Sequence, residues 1–156
     1  MSSISLFYAA ERGRSRALDR YWRMERLSPG SDEARVLDAM RRARFSIWRI
    51  EKPHEVAGVI VLDVLRECEA WLIDEGLETS GSKGMSFAAR LGRLDDFCMT
   101  SGVVVPVNRA LIEEVALDDL AWRSNDPNEV AATPRFAAAI YRAAIASGVM
   151  ENVRYE

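Results

Sequence analysis

The chain has 156 residues, 49% of them apolar and 29% charged, with a net charge of −3. That length suits one domain with its own core, and the composition excludes a disordered or fibrous chain and argues against nonspecific nucleic-acid binding by the whole protein. The charge is uneven, because residues 1–44 hold ten arginines against six acidic residues, a net of +4, whereas residues 45–156 carry a net of −7.

Residues 6–27 show a helical period. At about 100° per residue, Ala10, Ala17, Leu18, Tyr21, Trp22 and Met24 form an apolar arc, and Arg12, Arg16, Arg20, Arg23 and Arg26 lie opposite. The residues before Glu11-Arg12 lack a basic leader and are too short an apolar run for an export signal. Ser28-Pro29-Gly30 breaks the pattern, and Ser31 suits the N-cap of a second helix reaching Arg44, with Asp32 and Glu33 at its positive end and Val36, Leu37, Met40 and Ala43 on its core face.

At Phe45 the period shortens. Phe45, Ile47 and Ile50 predict a strand ending near Lys52-Pro53-His54, and the apolar run from Gly58 to Leu65 predicts a central strand. Arg66-Glu67 makes a tight connection to a third strand around Ala70, Trp71, Leu72 and Ile73, which stops at Asp74-Glu75-Gly76. Residues 79–84 form a polar, glycine-rich loop. Beyond it the strand and helix periods overlap, and two strands over 85–93 and 97–105 are favoured because Val103-Val104-Val105 is strongly strand-forming. Asn108 caps a helix over 109–122, residues 124–128 form a turn, and Thr133-Pro134 opens a last helix that ends at Gly148.

The organisation is a single α+β domain: helical over 1–44, β-rich over 45–106 and helical over 107–156, with a five-stranded, antiparallel, bent sheet or SH3-like barrel between the helices. No run approaches the roughly 18 apolar residues of a membrane helix, since Asp63 and Arg66-Glu67 interrupt the most apolar region. Cys68 and Cys98 are too few for a disulfide framework and too far apart for a zinc knuckle, so reduced thiols and a cytoplasmic location are expected.

No catalytic constellation is legible. His54 is the one histidine and sits in a proline-bearing turn beside Glu55, the reading of a solvated side chain. A cysteine nucleophile would have only His54 for a base, and Glu67 and Glu69 beside Cys68 disfavour its thiolate. Gly81-Ser82-Lys83-Gly84 lacks the spacing of a phosphate loop, and the acid pairs Asp74-Glu75, Asp95-Asp96 and Asp118-Asp119 match no metal-site spacing. Neither a cofactor nor a metal is therefore expected.

Three functional readings compete. The first is a non-enzymatic binding or accessory module for a protein partner, presenting Trp48 and Trp71 beside the charged helix face. The second is a small metal-assisted hydrolase or transferase, which needs Asp95, Asp96 and Thr100 to converge with Arg90 or Arg93. The third is RNA binding by Arg12, Arg16, Arg20 and Arg23, whose guanidinium forks match phosphate. Aromatic helix faces at both ends of the chain also allow a homodimer.

The stretch from Leu37 to Val107 carries a resemblance. Asp38-Ala39-Met40-Arg41-Arg42-Ala43-Arg44 leads straight into Phe45-Ser46-Ile47-Trp48-Arg49-Ile50, followed by the Gly58–Leu65 run and by Asp96-Phe97-Cys98-Met99-Thr100. This resembles a helix-plus-small-barrel unit of uncharacterised bacterial proteins, some of which carry a zinc-binding SEC-C motif. The resemblance implies the fold and no activity. The zinc motif has no counterpart here, because the C-terminal helices contain neither Cys nor His.

Overall fold

The alternating middle of the chain forms a six-stranded sheet in the computed structural model, which describes residues 16–118 and 126–148. In chain order the elements are α1 (Ala17–Met24), α2 (Asp32–Arg41), β1 (Arg44–Pro53), β2 (Val59–Asp63), β3 (Cys68–Leu72), α3 (Glu75–Ser80), β4 (Ser86–Leu94), β5 (Phe97–Thr100), β6 (Val105–Val107), α4 (Arg109–Asp118), α5 (Pro127–Ala132) and α6 (Pro134–Ala146). The expected α+β class and small helix-flanked barrel are both present. β1 pairs with β4 as well as β2, which closes β1, β2, β3, β5 and β4 into a barrel, and β6 adds to the edge of β4.

Several details differ from the expectation. Closure is not wholly antiparallel, since β3 and β5 pair in parallel with Leu72 opposite Cys98. The strand expected over 97–105 is split into β5 and β6, giving six strands rather than five. Between them the Ser101 N–H bonds to the Arg90 carbonyl and Gly102 takes a φ of +94°, so the chain leaves the edge of β4 before rejoining it. The loop expected over 79–84 begins in a helix. Asp74 caps α3 by accepting from the Leu77 N–H at 3.0 Å, and Leu77 then buries into the barrel. The turn expected over 124–128 contains the start of α5, capped by Asp126, while residues 124 and 125 lie outside the described residues. The first helix ends at Met24 rather than near 27, because Glu25 turns to extended backbone, and α2 ends at Arg41 rather than Arg44, which already belongs to β1; the expected extensions over 6–15 and 119–122 lie outside the described residues.

The caps read from the sequence are in place. Ser31 Oγ accepts from the Ala34 N–H at 3.2 Å, Asn108 Oδ1 from the Leu111 N–H at 2.8 Å and Thr133 Oγ1 from the Phe136 N–H at 3.4 Å.

Strand alternation sends side chains into two cores. Trp48, Ile50, Val59, Val61, Leu72, Phe87, Ala89 and Leu91 fill the barrel interior. Phe45, Ile47 and Ala88 point outward and, with Val105 and Val107, bury against α4, α5 and α6 through Leu111, Val115, Val130, Phe136 and Ile140. Phe45 meets Phe136 and Tyr141 edge-on, at centroid distances of 5.9 and 5.6 Å. At the other end α2 lies on β4 so closely that a methyl group at Gly92 would come within 2.6 Å of the Ala39 carbonyl oxygen.

Among the described residues one charged side chain is fully enclosed. Asp63 accepts from Ser46 Oγ at 2.5 Å, from the N–H groups of Leu65 and Arg66 at 3.0 and 3.1 Å, and from the Arg66 guanidinium at 3.0 Å. Arg66 also reaches the Phe45 carbonyl, so this network ties the β2–β3 turn to β1 and gives the buried carboxylate the partners it requires. Glu67 completes the turn with a φ of +54°.

Candidate functional site

The helices leave one side of the barrel open. Among the described residues no helix packs broadly on β2, β3 or β5, and there the outward positions carry Ile60, Leu62, Trp71, Phe97 and Met99, all half-buried. Their facing follows from register: Ile60 is opposite Trp71 and Leu62 opposite Glu69, while Val59, Val61 and Leu72 point inside. Arg49 and Lys52 border the patch from β1, opposite Leu62 and Ile60.

Trp71 is the centre of this wall. Its indole N–H donates to the Ala57 carbonyl at 2.7 Å, and Phe97 meets it edge-on at 5.8 Å. The His54 ring stacks on it at 4.0 Å with an interplanar angle of 14°. His54 is thus held in place rather than freely solvated. Its Nδ1 accepts from the Val56 N–H at 3.1 Å, and its backbone N–H donates to the Gly58 carbonyl at 3.0 Å. Gly58 permits this turn with a φ of +72°, and a methyl group there would come within 2.2 Å of the Leu72 carbonyl. The β1–β2 loop is therefore held on Trp71 by one hydrogen bond and a ring stack, and two hydrogen bonds within the loop fix its shape.

Exposed carboxylates surround the aromatic centre. Glu55 follows His54, Glu69 is two residues from Trp71 on the same face, and Asp96 precedes Phe97; none forms an ion pair among the described residues. Arg49 is engaged by Glu51 at 2.7 Å, which leaves Lys52 as the bordering cation without an ion pair among the described residues. The arrangement offers a rigid apolar-aromatic surface with a negative rim.

The other residues singled out in the sequence are placed as follows. Trp48 is 6% exposed and donates its indole N–H to the Ala89 carbonyl at 3.1 Å; it belongs to the barrel interior and not to a surface, because it has the opposite parity to Arg49. Arg12 lies outside the described residues. Arg16 is engaged by Asp19 at 2.9 Å, and Arg20 and Arg23 are exposed on α1. Asp19 also receives Arg41, whose guanidinium lies over the Trp22 ring at 4.7 Å; Arg16 and Arg41 together hold its carboxyl below the ordinary carboxylate value. Of the expected apolar arc Leu18 is buried, whereas Tyr21 and Met24 are 51% and 80% exposed.

The acidic constellation does not assemble. Asp95 is exposed and pairs with Arg35 of α2, Asp96 is exposed, and Thr100 donates to Asp74 at 2.7 Å on the barrel rim. No group of three His, Cys, Asp or Glu is placed to hold a metal among the described residues. Burial pushes the Cys98 thiol up, opposed in part by Arg93, and Cys68 is exposed. An open groove of about 560 Å³ between α1 and α2 is lined by Trp22, Leu27, Pro29 and Ala34, with Asp38, Arg42 and Arg35 at its edge. Those edge charges are already paired: Asp38 with Arg42 and Arg41, and Arg35 with Asp32 and Asp95.

Sequence reasoning identified Trp71 and missed its surroundings. Ile60 and Leu62 sit in a run apolar at nearly every position, which hides the alternation, and Phe97 joins Trp71 only through the parallel β3–β5 closure. Among the described residues no helix is long and apolar enough to cross a membrane. No curated protein and no solved structure matches the chain. A model of a family of unknown function, DUF7986, matches residues 6–122, which span α1, α2, the whole barrel and α4. The chain belongs to the DUF7986 family of unknown function.

Proposed function

We propose that the protein is a non-catalytic binding module that engages a protein partner through the open β2–β3–β5 wall, centred on Trp71. The observation that carries this reading is the contrast between the barrel's outer sides: one is sealed by α4, α5 and α6, and the other keeps a fixed aromatic cluster at the surface. A large, rigid, half-exposed tryptophan loses little conformational entropy on contact and gains much from further burial. The resemblance to bacterial helix-plus-barrel units and the two free thiols support a bacterial, cytoplasmic setting.

RNA binding by the α1 arginines is the weaker reading, because Arg16 is already engaged by Asp19. Photo-crosslinking in the source cells tests the proposal. A photoreactive residue at Leu62 should give a discrete protein adduct, and one at Glu113, on exposed α4, should give none. Equal adducts from both positions, or none from Leu62, would contradict it.

A further inference from the structure

The open wall is charged as well as apolar, and its charge is one-sided. Glu69 precedes Trp71 by two residues on β3, Glu55 follows the histidine that stacks on it, and Asp96 leads into Phe97; all three are exposed and form no ion pair among the described residues. The nearby cations are differently placed. Arg49 is held by Glu51, Arg66 by the enclosed Asp63, and Arg93 gives its Nε–H to the Asp95 carbonyl at 3.1 Å. Lys52 stands at the β1 border, opposite Ile60 and two strands away from Trp71. Positive charge therefore lies at the β1 edge of the wall, and the β3 and β5 side is negative.

Each of the three carboxylates stands next to a large apolar group. Ile60, Trp71 and Phe97 form one row across the sheet, and Glu69 faces Leu62 in the next. Val56, 80% exposed at the tip of the β1–β2 loop, extends the apolar surface beside Glu55. A partner that covers the aromatic row must therefore also bring its own groups against the carboxylates. An apolar partner would strip water from them and return nothing, and an acidic or phosphate-bearing one would add like charge. Lysine and arginine meet both demands, because their aliphatic stems cover apolar surface while the charged ends reach the carboxylates.

We infer that the partner's contact segment is basic, with lysine or arginine residues interspersed among apolar ones: the apolar side chains lie on the Ile60–Trp71–Phe97 row and the cations meet Glu55, Glu69 and Asp96. This rests on the reading of the open wall as the binding face and names the chemistry of the segment it takes.

Fluorescence anisotropy on the full chain provides the test, with short labelled peptides of repeated Lys-Leu-Ser or repeated Glu-Leu-Ser as probes. At low salt the lysine peptide should bind about tenfold tighter or more than the glutamate peptide, and added salt should weaken it. Glu55→Lys with Glu69→Lys should reverse the order of the two peptides. Glu114→Lys with Glu129→Lys, both exposed on the helices that seal the opposite side, should leave the order unchanged. Circular dichroism would verify that each variant keeps its fold. No preference between the peptides, a preference that survives the wall reversal, or one lost equally in the α4–α5 pair would overturn the inference. So would a labelled oligouridylate that binds more tightly than the lysine peptide, which would assign the wall to RNA. A discrete protein adduct at Leu62 in the source cells alongside any of the first three results would retire the basic segment while leaving the binding face in place, and no Leu62 adduct would retire both.

Discussion

β1 runs through both outer sides of the barrel and changes character on the way. Its first half sends Phe45 and Ile47 into the layer beneath α5 and α6, and its second half sends Arg49 and, past the bulge at Glu51, Lys52 to the border of the open wall. On the sealed side the apolar residues face one another across a filled layer that includes the Phe45–Phe136 and Phe45–Tyr141 ring contacts. On the open side the same alternation yields Ile60, Leu62, Trp71 and Phe97 interspersed with Glu69 and bordered by Arg49 and Lys52. A sheet can therefore bury one outer side against its own helices and leave the other uncovered, and the same-face neighbours two residues along and across the register give each side its character.

The sharpest way to break this comparison is to empty the sealed side. Phe45→Ala should cost about 3–5 kcal/mol, since the ring is 2% exposed and packs on two aromatics, and urea unfolding would read the loss. Asp63→Ala should cost about 3–5 kcal/mol as well, because it leaves Arg66 and Ser46 without their partner inside the barrel. Trp71→Ala should cost far less, about 1–2 kcal/mol, while abolishing the Leu62 cross-link. Comparable losses from Trp71→Ala and Phe45→Ala would erase the distinction between the two sides. The smallest effect is chemical: at neutral pH an alkylating reagent should modify exposed Cys68 well before Cys98, whose thiol pKa is raised by burial, and mass spectrometry of the labelled peptides would show the order.

The parts of this fold written in local chemistry were legible in the sequence. The caps at Ser31, Asn108 and Thr133 and the strand from Phe45 depend on side chains within a few residues of the backbone they organise. What escaped depends on distant partners or on very short elements. α3 has six residues and begins at Asp74-Glu75-Gly76, a cluster that also reads as a turn. The break between β5 and β6 rests on Gly102 within a run that is otherwise strand-like. Trp48 and Trp71 have similar neighbours along the chain, and only register separates the buried one from the one at the surface. The His54–Trp71–Phe97 cluster joins three segments, the last of them through a parallel pairing that no periodicity announces.

On the proposed reading, the β2–β3–β5 wall, and not the rest of the surface, is where this protein meets its partner. Hydroxyl-radical footprinting tests it directly, comparing dilute purified protein with protein in extract of its source cells. Protection of Trp71, Phe97 and Met99 in the extract is expected, with exposed Arg109 and Glu113 of α4 unchanged. Equal oxidation of the wall in both conditions, or protection confined to α4, would contradict it.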